Sequence, residues 1–192
     1  MQKGPQSTLV EIKNEHTAIS RMEKNGEILF QQETNDPELA QAPIDRSLLT
    51  VADIYDFAQS AQIADVKEIL DAQIEYNTRI AEEGLQHAYG ANVGATLLES
   101  YGEDIITLAK AYPAAGSDAR MSGCVMPVII NSGSGNQGMA ASLPVIKYAQ
   151  HLAVTQEKLY RALLISNLVA IHQKTGIGRL SAYCGAVSAA CG

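Results

Sequence analysis

The sequence holds no tryptophan and two phenylalanines, and aromatic residues make up 5% of its 192 positions. Lysine and arginine number 14 against 21 aspartates and glutamates, a formal net charge of -7. A chain this acidic, without a basic stripe interleaved with aromatics, argues against nucleic acid or an anionic membrane surface as its main partner. Its apolar runs fall far short of a membrane span. The opening residues, Met1-Gln2-Lys3-Gly4-Pro5, hold none of the apolar core of a secretory signal. Three cysteines fit free thiols or metal ligands in a reducing cytoplasm better than a disulfide framework. The expectation is a cytoplasmic protein of one ordinary domain, or one and a half small ones.

What the chain does have is small polar residues in one place. The apolar run from Val125 to Ile130 leads into Asn131-Ser132-Gly133-Ser134-Gly135-Asn136-Gln137-Gly138, in which nothing is large or apolar. Its glycines permit positive φ and close approach of a ligand to the backbone. Met139 to Gln150 reads as a helix, which puts the loop at a helix N-terminus, where free N–H groups and the dipole attract a carboxylate or phosphate. The competing reading is a tight surface turn between two core elements, because short glycine motifs recur by chance.

The N-terminal third is polar with a strand-like pattern. Thr8 to Lys13 and Thr17 to Glu23 alternate loosely, and Asn25-Gly26 before Glu27 to Phe30 is a hairpin signal. Asn35-Asp36-Pro37 stops the last run, and a linker continues to Arg46. Helices follow. Thr50 reads as an N-cap with Asp53 three residues on, and Ile54, Phe57 and Ala58 share a face. Val66, Ile69, Leu70, Ile74, Asn77, Ile80 and Ala81 mark a longer helix that Gly84 would end. The glycine-rich stretch Gly84 to Gly94 lacks the preceding strand that a dinucleotide fingerprint requires. Gly102 to Met121 reads as helix with a break or kink at Pro113, and Ala140 to Gln150, Thr155 to Lys174 and Leu180 to Cys191 as three buried helices. The expected fold class is α+β: a small antiparallel sheet within residues 1–47, then a helical bundle rich in alanine and glycine over residues 48–192. The final run, Ser188 to Gly192, reads as the middle of a buried helix, so the helical domain is expected to continue beyond it.

With Asp118-Ala119-Arg120-Met121 before it and Leu180-Ser181-Ala182-Tyr183-Cys184-Gly185-Ala186 after it, the Asn131–Gly138 stretch resembles the serine dehydratase-like alpha-chain family. The nearer branch is the L-cysteine desulfidase group. The resemblance covers nearly the whole chain. It implies a lyase, independent of pyridoxal phosphate, that uses a [4Fe–4S] cluster to eliminate the β-substituent of L-cysteine or L-serine. It further implies that Cys184 is one of three thiolate ligands of that cluster. The other two belong to a Cys-Asp-Gly-Ala-Lys-x-x-Cys segment, and the proton-abstracting residue to a Gly-Cys-Thr-Glu-Pro segment; neither string occurs here. One thiolate cannot hold such a cluster, so this polypeptide alone is expected to be cluster-free and inactive.

Candidate substrate-binding residues are Asn131, Ser132, Gly133, Ser134, Gly135, Asn136, Gln137 and Gly138, joined by His172 and Lys174. His172, Lys174 and Arg179 flank the Thr175-Gly176 break, where they would bind a carboxylate or move a proton; equally, they would simply complement a helix C-terminus. Cys184 is the candidate metal ligand. Read without the resemblance, Cys184 and Cys191 are two small buried hydrophobes. On one helix they would lie roughly 10 Å apart along the axis, beyond the ~7 Å a disulfide tolerates. Cys124 reads as buried packing. His16-Thr17 resembles a pair in the family's small domain but reads first as a surface strand, and His87 and His151 lack a nameable partner. A second function class remains open: a non-catalytic domain that binds a small anion or a complementary subunit, with self-association into a homo-oligomer also open.

Overall fold

The computed structural model describes residues 2–13, 18–32, 45, 48–177 and 183–191. They divide into two compact units. The first holds a four-stranded antiparallel sheet in sequential order, β1 (Gln2–Lys3), β2 (Gln6–Ile12), β3 (Ile19–Lys24) and β4 (Glu27–Gln31). Asn25 and Gly26 take φ of 53° and 84° between β3 and β4, the left-handed pair that a two-residue hairpin needs. Strand β1 was not expected from sequence. The His16-Thr17 pair and nearly all of the linker up to Arg46 lie outside the described residues.

The second unit is helical: α1 (Val51–Ser60), α2 (Ile63–Gln86), α3 (Val93–Tyr101), α4 (Ile105–Met121), α5 (Gly135–His151), α6 (Gln156–Thr175) and α7 (Gly185–Ala190). Together with the sheet this makes the α+β class that the pattern predicts. Thr50 caps α1 by accepting from the Asp53 N–H, and Thr155 caps α6 by accepting from Lys158. Helix α5 lies at the centre, against α2, α4, α6 and α7. Its Met139, Leu143 and Ile146 are fully buried with Ile80 of α2 and Leu163 of α6. Each such side chain contributes about 2 kcal/mol of transfer free energy.

Four expectations change. Gly84 does not end its helix: α2 runs to Gln86, and a Cβ at Gly84 would collide with the Ala115 carbonyl. The glycine is there for close helix contact, not termination. Phe57 is 49% exposed although Ile54 and Ala58 on the same stripe are buried. Helix α4 continues through Pro113, and α5 likewise contains Pro144. The last helix starts at Gly185 with Cys184 as its N-cap and ends at Cys191, so the two cysteines bracket a short helix instead of sharing one. Leu180 to Ala182 lie outside the described residues.

Helix α5 also begins four residues before the expected Met139. Glycine at 135 and 138 lowers local helix propensity by about 1 kcal/mol each relative to alanine, which hides the start. Packing overrides that preference. Ser134, with extended φ and ψ, caps the helix by accepting from the Gln137 N–H. A Cβ at Gly138 would strike the Ile129 carbonyl, so only glycine lets the first turn lie against the extended segment leading into it.

Candidate functional site

The glycine-rich stretch therefore forms half a turn and half a helix. Asn131 and Ser134 close a tight loop by exchanging main-chain hydrogen bonds of 3.1 and 3.0 Å. At its tip Ser132 sits at φ 46° and Gly133 at φ 84°. Positive φ is uncommon for serine and strained. Ser132 Oγ is buried without a hydrogen-bond partner among the described residues. Gln137 N donates to Ser134 Oγ and Gly138 N to the Ser134 carbonyl. Gly135 and Asn136 precede any acceptor within the helix, so their N–H groups stand at its positive end.

A chain of carboxamides, buried except for the half-buried Asn167, supports the loop from below. Asn167 of α6 and Gln73 of α2 bond reciprocally, at 2.8 and 3.0 Å. Asn131 Nδ2 donates to Asn167 Oδ1 at 2.9 Å and to its main-chain carbonyl at 3.1 Å. Gln137 Nε2 then donates to Asn131 Oδ1 at 2.9 Å. A parallel support comes from Asn77, fully buried on α2. Its Oδ1 accepts from Ile129 N at 2.9 Å, and its Nδ2 donates to the Ile129 carbonyl at 3.3 Å and to Ser142 Oγ at 3.1 Å. The side chain thus serves Ile129 as a neighbouring strand would, and the apolar run before the loop stays extended outside any sheet. Buried polar groups satisfied in this way fix one geometry.

Gln137 is completely buried, yet its Oε1 accepts nothing among the described residues. A Cβ at Gly185 would collide with that oxygen and lie 3.5 Å from Lys174 Nζ. Lys174 is only 6% exposed, and no hydrogen bond or ion pair to its side chain is found among the described residues. The first turn of α5, the end of α6 and the start of α7 therefore converge, and the residue before Gly185 is Cys184, exposed at the α7 N-cap. His172 is on the last turn of α6 but faces out. Arg179 lies outside the described residues.

One residue at this place stood out in the sequence only as part of a motif. Arg120, in the last turn of α4, lays its Nε 2.5 Å and its Cδ 3.0 Å from where a Gly135 Cβ would be, and its Nη1 donates to Asn136 Oδ1 at 3.1 Å. A guanidinium at the positive end of a helix is electrostatically unfavourable unless an anion shares the site. Asp118, in the same motif, serves elsewhere. Its Oδ2 accepts from Val93 N at 2.8 Å and holds the start of α3. Gln73 and Asn167 were also missed. Asn77 had left a trace, as the one amide in the apolar stripe of α2.

The other cysteines stand apart from the convergence. Cys191 is at the far end of α7, and Cys124 packs beside Tyr89 against the main core. No group of three or more histidine, cysteine or acidic side chains that could hold a metal is present among the described residues. Beyond Asn136, on the outer side of α5, runs an apolar groove of about 810 Å³ whose walls include Ile106, Pro113, Pro144, Ile165 and Val187. No helix among the described residues is long and apolar enough to cross a membrane.

A family profile described as the serine dehydratase alpha chain matches residues 8–192. A UPF0597 protein of Lachnoclostridium phytofermentans is 59% identical over 192 residues, all of this chain and 46% of the relative. A UPF0597 protein of Desulfitobacterium hafniense is 60% identical over 177 residues, 92% of this chain and 41% of that protein. One of Fusobacterium nucleatum is 48% identical, covering 98% of this chain and 45% of the relative. The chain spans less than half the length of these curated relatives. No solved structure gives a significant match.

Proposed function

Because the chain belongs to the serine dehydratase alpha-chain family, we propose that it is the part of an iron–sulfur-dependent amino-acid lyase that holds the substrate. On this reading the whole enzyme converts L-cysteine to pyruvate, ammonia and sulfide, or L-serine to pyruvate and ammonia, in the cytoplasm. The observation that carries the reading is the meeting of an anion-attracting helix N-terminus, the ammonium of Lys174 (a residue 6% exposed) and the Cys184-Gly185 turn. A substrate carboxylate beside Gly135, Asn136 and Lys174 would balance positive charge that the fold otherwise leaves unpaired. Arg120 adds to that charge from the solvent side.

The donor set of this chain does not fit a [4Fe–4S] cluster. Cys184 alone lies next to the site, with Cys191 beyond α7 and Cys124 against the core, whereas such a cluster is held by several thiolates. No step is therefore assigned to it. What these residues can do is bind and orient: the loop fixes the carboxylate, and the amide supports keep the loop from relaxing around it.

The test is anaerobic reconstitution with iron and sulfide of this chain joined to the remaining family polypeptide, following visible absorbance and pyruvate release from each amino acid. Ser134→Ala and Asn136→Ala should each raise KM or lower kcat by about ten-fold, the cost of one charge-assisted hydrogen bond. Unchanged kinetics in both would remove the loop from the site. A non-catalytic, subunit-binding role is favoured by one feature, the open apolar groove. Absence of pyruvate from every amino acid tried, with the cluster loaded, would decide for it.

A further inference from the structure

The carboxamide chain has a direction, and the main chain sets it. Asn167 Nδ2 donates to the Leu163 carbonyl at 2.8 Å, and Asn131 Nδ2 to the Asn167 carbonyl at 3.1 Å. A carbonyl only accepts, so both amides are fixed with nitrogen toward those oxygens. Asn167 Oδ1 is then turned toward Asn131, Asn131 Oδ1 toward Gln137, and Gln137 Nε2 is consumed on Asn131. The free end of the chain must be an oxygen. That oxygen, Gln137 Oε1, is fully buried without a donor among the described residues, beside the ammonium of Lys174, a residue 6% exposed that has no acceptor among them.

Either group left alone is destabilising through desolvation. Side by side and not bonded to each other, they form an acceptor and a cation that match a molecule carrying both a cation and an anion at short separation. We propose that Lys174 Nζ takes the carboxylate, and Gln137 Oε1 the α-ammonium group, of a zwitterionic amino acid. This rests on the lyase reading and assigns the two ends of its substrate. Gln73, Asn167 and Asn131 are positioning residues that keep the acceptor from flipping to a donor. Gly185 lies over both groups, so a ligand that reaches them shifts α7, and with it Cys184.

The test uses the 192-residue chain itself, by calorimetric titration with L-serine, 3-hydroxypropanoate, which lacks the ammonium, and ethanolamine, which lacks the carboxylate. L-Serine should bind at least about ten-fold more tightly than either, from one charge-assisted bond at each end. Lys174→Met should weaken L-serine by about ten-fold or more while leaving the unliganded melting temperature equal or higher, because an unpaired buried charge is gone. Gln137→Met should weaken L-serine but not 3-hydroxypropanoate; should it fail to fold, Lys174→Met still decides. Equal binding of L-serine and 3-hydroxypropanoate, no binding of any of the three, or a lower melting temperature in Lys174→Met would each overturn the assignment. Pyruvate release by the reconstituted enzyme is read separately. Activity that persists with the same substrate preference in Lys174→Met sinks the paired site and leaves the lyase standing.

Discussion

The two faces of α5 differ in kind. The inner face carries Gln137, Gly138 and Ser142, buried and tied by hydrogen bonds to α2 and the entering segment, and through Asn131 to α6. The outer face carries Asn136, Ala140, Pro144 and Tyr148 along an open groove. In sequence the two faces alternate within one stretch. The inner face is specified polar atom by polar atom, so few replacements fit it. Past Asn136, which accepts from Arg120, the outer face is specified only by size and apolarity. Chemistry in this chain is expected where the geometry is over-determined, and assembly where it is not.

The comparison breaks most visibly at Asn77. Asn77→Ala strips partners from the Ile129 N–H, the Ile129 carbonyl and the Ser142 hydroxyl together. A loss of about 3 kcal/mol in urea denaturation is expected, as buried groups are left unpaired; a loss under about 1 kcal/mol would mean that polar contacts do not specify the inner face. Next comes Gly138→Ala, whose methyl group meets the Ile129 carbonyl and lies 3.1 Å from Asn131 N. About 2 kcal/mol of overpacking is expected, with the loop amides shifted in an amide NMR spectrum. On the outer face, Val187→Ser, at a position 64% exposed, should change stability by less than about 0.5 kcal/mol. A large effect there would show that the groove is filled in solution.

The smallest expected effect is a pH dependence away from both faces. The Asp71 carboxyl is held below its ordinary value of 3.8, first by a hydrogen bond from Lys67 and then by one from Tyr160. A lowered folded value means that its contribution is complete above that ordinary value and fades as pH falls through the lowered one. Melting temperatures of Asp71→Asn should therefore trail the wild type at about pH 6 and converge with it on acidification. A constant gap would assign the effect to packing.

Signals confined to a few neighbouring residues were legible in the sequence. The left-handed pair Asn25-Gly26, the N-caps Thr50 and Thr155 and the glycine loop all depend on local chemistry. Helix α3 was not legible: it follows Gly90 and starts from Asn92 at φ 54° with no side-chain cap bond, so it reads as more loop. Nor was the start of α5, where contact with Ile129 outweighs propensity. Gln73 and Asn167 lie 94 residues apart, and a lone amide on a helix looks like surface until its distant partner is known. Lys174 was picked out for its charge, while what sets it apart is burial, which no local pattern records.

The two prolines in the walls of the groove carry a consequence of their own. A proline within a helix leaves the carbonyl four residues earlier without its usual proton donor. For Pro113 and Pro144 those carbonyls belong to Ala109 and Ala140, and both alanines line the same cleft from opposite banks. The trough is thus apolar in its side chains, and on each of the two helices that wall it one carbonyl lacks the proton donor a regular helix supplies.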